Sequence, residues 1–155
     1  MSEVEKSAKA QFIGEYTKTL DDKRRVALPS KWRFLGDDSE ETYLAIQATS
    51  YKAIIVMPPE KTALLREKIS RISIANPNKR RALAKFLQNA QTFGCDKQGR
   101  IMLSEALLKY ADISKDVCIA GNELDFEIWN PKLRAKWLAQ STAEDDTALI
   151  EEFGI

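Results

Sequence analysis

Leu20-Asp21-Asp22-Lys23-Arg24-Arg25-Val26-Ala27-Leu28-Pro29 is answered, 75 residues on (96 − 21), by Cys95-Asp96-Lys97-Gln98-Gly99-Arg100-Ile101-Met102-Leu103-Ser104. Each stretch reads as an apolar residue, then Asp-x-x-x-Arg, then an apolar run with Leu three places after the Arg. Self-similarity at a fixed offset is the mark of an internal repeat. In one copy a strand enters, the chain turns through a polar pentapeptide, and a second strand leaves. Gln98-Gly99 stands where a tight turn needs positive φ, which glycine supplies without steric cost. The Asp can accept hydrogen bonds from amides one or two residues on and so brace the loop, or it can accept a bidentate Arg. An Arg pointing outward from such a loop would be a rigidly mounted guanidinium suited to phosphate or guanine. A single copy would read as a plain hairpin turn, and two copies in matched surroundings favour a functional one.

Outward from the loops, the flanking segments also match. Phe12 to Leu20 is strand-like, and Val26-Ala27-Leu28 is a second strand. Pro29-Ser30 opens a short helix carrying Trp32 and Leu35. An acidic loop over 37–42 follows, then a hairpin of Tyr43–Gln47 and Ala53–Met57 closed by Pro58-Pro59. Leu64, Leu65, Ile69 and Ile72 give 60–74 the spacing of an amphipathic helix. Asn76-Pro77-Asn78 breaks the chain before a second helix over 79–91, with Leu83, Phe86, Leu87 and Ala90 inward. The cycle then recurs: a short helix from Ser104 to Tyr110, a hairpin of Val117–Ala120 and Phe126–Trp129, Asn130-Pro131, and a helix over 132–140. The expected organisation is a polar tail at 1–10, a first repeat at 11–75, a connecting helix at 76–91, a second repeat at 92–140, and an acidic tail at 141–155. In that tail Leu149, Ile150 and Phe153 can form a last helical turn or dock on a neighbour.

Composition limits the function. With 155 residues, 44% apolar and 30% charged, the chain is long enough for a self-sufficient core and too apolar for disorder. A net charge of +1 means that any basic face must come from uneven distribution. There is no histidine, and Cys95 and Cys118 have no metal-ligand spacing, so we expect free buried thiols and no metal or cofactor. The longest apolar run, Ala53 to Met57, is too short to span a bilayer, and the polar stretch from Met1 to Ala10 is not expected to be a signal peptide. The expected location is cytoplasmic and nucleoid-associated. No nucleophile has a recognisable base, and no Gly-rich loop could hold a phosphate, so we expect no enzyme.

Phe12-x-Gly14-x-Tyr16-x-x-x-Leu20-Asp21-x-Lys23-x-Arg25-x-x-Leu28-Pro29-x-x-x-Arg33 resembles the opening of the MraZ family, regulators of bacterial division and cell-wall gene clusters. Asp96-Lys97-Gln98-Gly99-Arg100-Ile101-x-Leu103, followed by Glu127-Ile128-Trp129, is similar to the family's second half. The match runs over roughly residues 12–137. The resemblance implies an α+β fold of two tandem AbrB-like swapped-hairpin units forming a pseudo-two-fold β-barrel flanked by helices. It also implies a homo-oligomeric ring that represses transcription, its own operon included, by binding short direct repeats in double-stranded DNA. Two positions depart from the pattern. Arg24 stands where the family has the counterpart of Gly99, at a cost of about 1–2 kcal/mol if left-handed geometry is required. Ser104 replaces the counterpart of Pro29.

On this reading Lys23, Arg24, Arg25, Lys97 and Arg100 meet DNA, with Lys31 and Arg33 on phosphate nearby. Asp21, Asp96 and Gly99 shape the loops, since a carboxylate beside phosphate is repelled. Lys79-Arg80-Arg81, at a helix start, opposes the helix dipole; it reads as a solvated face or as a contact to DNA or a neighbour's acidic tail. Trp32, Trp129 and Trp137 are expected in core or interface. The alternative to a repressor is an oligomeric protein scaffold of the same fold with little DNA affinity.

Overall fold

Proline and asparagine punctuate the chain. Pro59, Pro77 and Pro131 each occupy the first turn of a helix, where a missing amide costs nothing. Asn76 accepts from the Lys79 amide at 3.1 Å, and Asn130 from the Lys132 amide at 2.9 Å. The expected breaker at 76–78 is therefore an N-cap and helix start. The computed structural model describes residues 12–33 and 43–155. In chain order these form β1 (Glu15–Thr19), β2 (Arg25–Ala27), a 3₁₀ turn (Ser30–Trp32), β3 (Tyr43–Gln47), β4 (Ile54–Met57), α1 (Pro59–Ser70) and α2 (Pro77–Leu87). Then come β5 (Gln91–Phe93), β6 (Arg100–Met102), α3 (Glu105–Tyr110), β7 (Asp116–Gly121), β8 (Phe126–Trp129), α4 (Pro131–Ala139) and α5 (Ala143–Glu152). The expected tail at 1–10, the acidic loop at 37–42 and Leu35 lie outside the described residues.

The strands form an antiparallel six-stranded sheet in the order β1-β7-β8-β4-β3-β5 and a separate two-stranded ribbon, β2-β6. Exchanging β1–β4 with β5–β8 leaves the set of pairings unchanged. The β1–β7 pair corresponds to β5–β3, and β3–β4 to β7–β8, while β2–β6 and β4–β8 map onto themselves. In the ribbon Val26 lies opposite Ile101, its own counterpart 75 residues on (101 − 26).

One open reading closes here and one expectation changes. The plain hairpin that a single copy would suggest is absent, since the strands on either side of each loop do not pair with one another: β1 pairs with β7, and β2 with β6. The expected closed barrel is also not present as one hydrogen-bonded sheet, because β1 and β5 are its two ends and the ribbon stands apart. After each polar loop the chain leaves the main sheet, and β2 and β6 pair with each other.

Alternation fixes which way the ribbon faces. Val26 and Ile101 are buried, so Arg25, Ala27, Arg100 and Met102 share the opposite, outer face. Beneath it, Trp32 packs edge-on against Phe12 and Tyr16 at 5.5 and 5.3 Å and lies 5.2 Å from Phe126. The Tyr43 hydroxyl donates to the Trp32 carbonyl at 2.7 Å. The 3₁₀ turn is thereby pinned to the core, and with it the C-terminal side of the first loop. Trp129 is buried and stacked on Tyr51 at 5.1 Å, and Trp137 is half-buried and tilted against Tyr51 at 4.8 Å.

Candidate nucleic-acid interface

Both loops are closed by the same set of hydrogen bonds. Asp21 Oδ1 accepts from the Lys23 and Arg25 amides, each at 2.9 Å, and Oδ2 accepts from Arg25 Nε at 2.7 Å. Asp96 Oδ1 accepts from the Gln98 and Arg100 amides, each at 2.9 Å, and Oδ2 from Arg100 Nε at 2.9 Å. The Asp amide also donates to the Arg carbonyl, at 3.0 Å in the first loop and 2.9 Å in the second. The motif arginines are thus folded against their carboxylates. Their side chains are 28% and 29% exposed, so each guanidinium still reaches solvent.

Each loop is also held by the other. The Leu28 amide donates to the Gly99 carbonyl at 2.9 Å, and the equivalent Leu103 amide to the Arg24 carbonyl at 3.0 Å. Arg100 Nη1 lies 3.8 Å from Asp21 Oδ2, across the pseudo-two-fold axis. The two loops form one assembly.

The departure at Arg24 does not reshape its loop. Arg24 adopts φ 60° and Gly99 φ 77°, both left-handed. What differs is the side chain above them. Arg33 donates from Nε and Nη2 to the Leu28 carbonyl at 3.0 and 2.7 Å, and its guanidinium fills the space beside Gly99. A Cβ on Gly99 would fall 2.0 Å from Arg33 Cζ. In the other half, the counterpart of Arg33 is Leu108, which has no donor for the equivalent carbonyl of Leu103. There Arg24 itself donates from Nε to the Leu103 carbonyl at 3.2 Å. A guanidinium therefore serves the equivalent carbonyl in each half, supplied by a different residue. Arg33, expected on phosphate, is turned inward to this role.

Of the other expected contacts, Arg24 is exposed but holds the Leu103 carbonyl through Nε, and the rest lie outward. Lys23, Arg24, Lys31 and Lys97 are exposed, and Arg25 and Arg100 share the outer face of the ribbon. Lys79, Arg80 and Arg81 are exposed on α2, which packs over β3. Sequence reasoning passed over Tyr51 and Tyr110. The Tyr51 hydroxyl donates to buried Glu127, which also accepts from Trp129 Nε1 at 2.8 Å. Tyr110 caps the carbonyls of Ala48 and Tyr51. A lone carboxylate between Phe126 and Ile128 was the available signal for this buried network. Both cysteines are free, Cys118 buried and Cys95 half-buried. Burial and the Glu15 carboxylate push the Cys118 thiol up to about 12.

The loop carboxylates titrate low. At Asp21 the Arg25 amide is the chief cause, outweighing the opposing effect of burial, with the Arg25 side chain and Lys23 amide adding to it. At Asp96 burial pulls upward, but the Arg100 amide and side chain and the Gln98 amide together bring the net below the ordinary value. A depressed carboxylate contributes stability above its unfolded value of about 3.9 and loses it as pH falls through the lower folded value. The Nε–H resonances of Arg25 and Arg100 should therefore hold steady from about pH 7 to about pH 4, then shift below it. A midpoint above about pH 4 would contradict the bracing.

Among the described residues, no cluster of His, Cys, Asp and Glu could hold a metal ion, and no helix is long and apolar enough to cross a membrane. Residues 86–152 match the family model described as "MraZ protein, putative antitoxin-like". A relative from Clostridium tetani, named "Transcriptional regulator MraZ", is 32% identical over 141 residues, covering 91% of this chain and 94% of that one. Relatives of the same name from Clostridium acetobutylicum and Halothermothrix orenii are 32% and 31% identical, covering 91% and 93% of this chain and 94% and 99% of theirs. Identity at this level over nearly the whole length, with both Asp-x-x-x-Arg loops built alike, means that the chain belongs to the MraZ family.

Proposed function

We propose that the protein is a sequence-preferring, DNA-binding transcriptional regulator, acting as a repressor, whose Arg25 and Arg100 contact double-stranded DNA from the outer face of the β2–β6 ribbon. The observation that carries this reading is the paired mounting of the two arginines. Each guanidinium is oriented through Nε by an aspartate that is itself held by amides, and the Nη atoms, apart from the 3.8 Å contact of Arg100 Nη1 with Asp21, remain to donate to guanine or phosphate. Lys23, Arg24 and Lys97 flank them on the same loops, with Lys31 on the adjacent 3₁₀ turn. The names of the relatives, transcriptional regulators rather than enzymes, support the same assignment.

The two halves act as swapped-hairpin repeats, roughly 11–75 and 92–140, joined through 76–91. Several such ribbons presented on a homo-oligomeric ring would read direct repeats upstream of the protein's own operon and its division and cell-wall gene cluster. Repetition makes weak contacts effective: with a net charge of +1, one ribbon binds modestly, and fixed spacing supplies the rest through effective concentration. The same low charge favours the second reading, a scaffold of this fold without DNA affinity.

A labelled fragment from upstream of the gene, run against scrambled DNA at two salt concentrations with mass read by light scattering, separates the two. A regulator should prefer its own fragment, bind as an oligomer, and lose affinity with salt at a slope of about 0.9 per phosphate contact. Indifference to both sequence and salt would leave only the scaffold.

A further inference from the structure

The expected acidic tail is a ten-residue helix, α5, and every residue of it is exposed. Isolated helices shorter than about 12–15 residues are marginal in water, so α5 needs a surface to rest on. It offers an apolar set for the purpose: Leu149, Ile150 and Phe153 are 49%, 46% and 64% exposed. Thr142 caps its start, accepting from the Asp145 amide at 3.1 Å. Glu144, Asp145 and Asp146 in the first turn suit the helix dipole. Glu151 and Glu152 at the other end oppose it, with no cation in the last turn.

The reverse conflict exists on α2. Its first turn has no acid and carries Lys79 and Arg80, with Arg81 directly after, cations at the positive end of the dipole. Beside it lies an open apolar groove of about 480 Å³ between α1 and α2, lined by Leu65, Ile69, Ile72, Leu83 and Phe86, with Lys79 among the lining residues. An acidic C-terminal helix end and a basic N-terminal helix end, each unfavourable alone, are complementary to one another.

We propose that α5 of one copy seats its Leu149, Ile150 and Phe153 in the α1–α2 groove of a second copy, with Glu151 and Glu152 against Lys79, Arg80 and Arg81. The inference rests on the oligomeric reading above and names its interface. A second copy is the fitting occupant because every chain carries both halves of the contact and a net charge of only +1 opposes approach little. Within one chain α5 is fully exposed, tied by Gln140, Ser141 and Thr142 to α4, which packs on β7, whereas α1 and α2 pack on β3 and α1 also on β4. The contact is head-to-tail, and such interfaces close into rings when the rotation permits.

The test is mass by light scattering for the wild-type chain, for Glu151→Lys/Glu152→Lys, and for the charge swap that joins these two changes to Lys79→Glu/Arg80→Glu/Arg81→Glu in one chain. All substituted residues are exposed, and circular dichroism confirms that the variants stay folded. The first variant should lose at least half the wild-type mass, and the charge swap should regain it. A wild-type oligomer whose mass survives the first variant would overturn this interface and leave the ring reading intact. Loss of mass without recovery in the charge swap would overturn the charge pairing that selects the partner. A monomeric wild type would overturn both readings and pass the groove to another occupant.

Discussion

Gly99→Ala is expected to destabilise the fold by about 2–4 kcal/mol, whereas Arg24→Gly, at the equivalent position of the other loop, should change stability by less than about 1 kcal/mol. Left-handed backbone at φ 77° costs a residue with a Cβ about 1–2 kcal/mol. The added Cβ also falls 2.0 Å from Arg33 Cζ, so Arg33 must swing away from the Leu28 carbonyl. Losing a charged donor from a half-buried carbonyl adds about 1.5–3 kcal/mol, less whatever water restores. At Arg24 the signs oppose: glycine relieves the strained φ of 60° while giving up the 3.2 Å bond to Leu103. Denaturant unfolding measures both. The sharper control is Gly99→Arg with Arg33→Leu, which copies the Arg24 and Leu108 arrangement. It should recover about half of the loss seen in Gly99→Ala, because the new guanidinium can serve Leu28 as Arg24 serves Leu103. If the double variant is no better than Gly99→Ala, the exchange of roles between the halves is wrong.

Arg25→Ala with Arg100→Ala should lower affinity for the upstream fragment by at least about 100-fold while leaving the chain folded. A guanine-reading arginine is worth about 1–3 kcal/mol, and two per chain make about 2–6 kcal/mol, at about 1.4 kcal/mol for each tenfold. An oligomer repeats the loss at every ribbon. The loops themselves should persist, because the carboxylates keep the amides of residues 23, 25, 98 and 100, and Val26 and Ile101 stay buried. The manner of the loss is informative: relaxed sequence preference assigns the arginines to base edges, and an even loss with a salt slope reduced by about one unit per contact assigns them to phosphate. Full affinity in the folded double variant would remove both residues from the interface.

The pentapeptide loops were readable from residue types alone. An aspartate that accepts amides two and four residues on has all its partners inside one short segment, so Asp21 and Asp96 brace their loops as their positions suggest. Helix starts were legible for the same reason, although Asn76 was read as a breaker when its own side chain caps α2. The core tryptophans followed from apolar spacing, with Trp32 and Trp129 buried.

What the sequence determined by itself is therefore mostly local: two equivalent loops, their braces, the order of most strands and helices, and the residue types that could meet DNA. Tertiary structure decided the rest. Whether β2 pairs with β1 or with β6, 75 positions away, depends on which partner buries Val26 and Ile101 together, and no local pattern carries that choice. Arg33 turns inward because Gly99, far along the chain, leaves it a space beside the Leu28 carbonyl, and Arg24 serves the Leu103 carbonyl because Leu108, the counterpart of Arg33, has no donor to offer it. Hydrogen bonds within a few residues are written in the chain; those between its halves depend on volumes and carbonyls that meet only after folding.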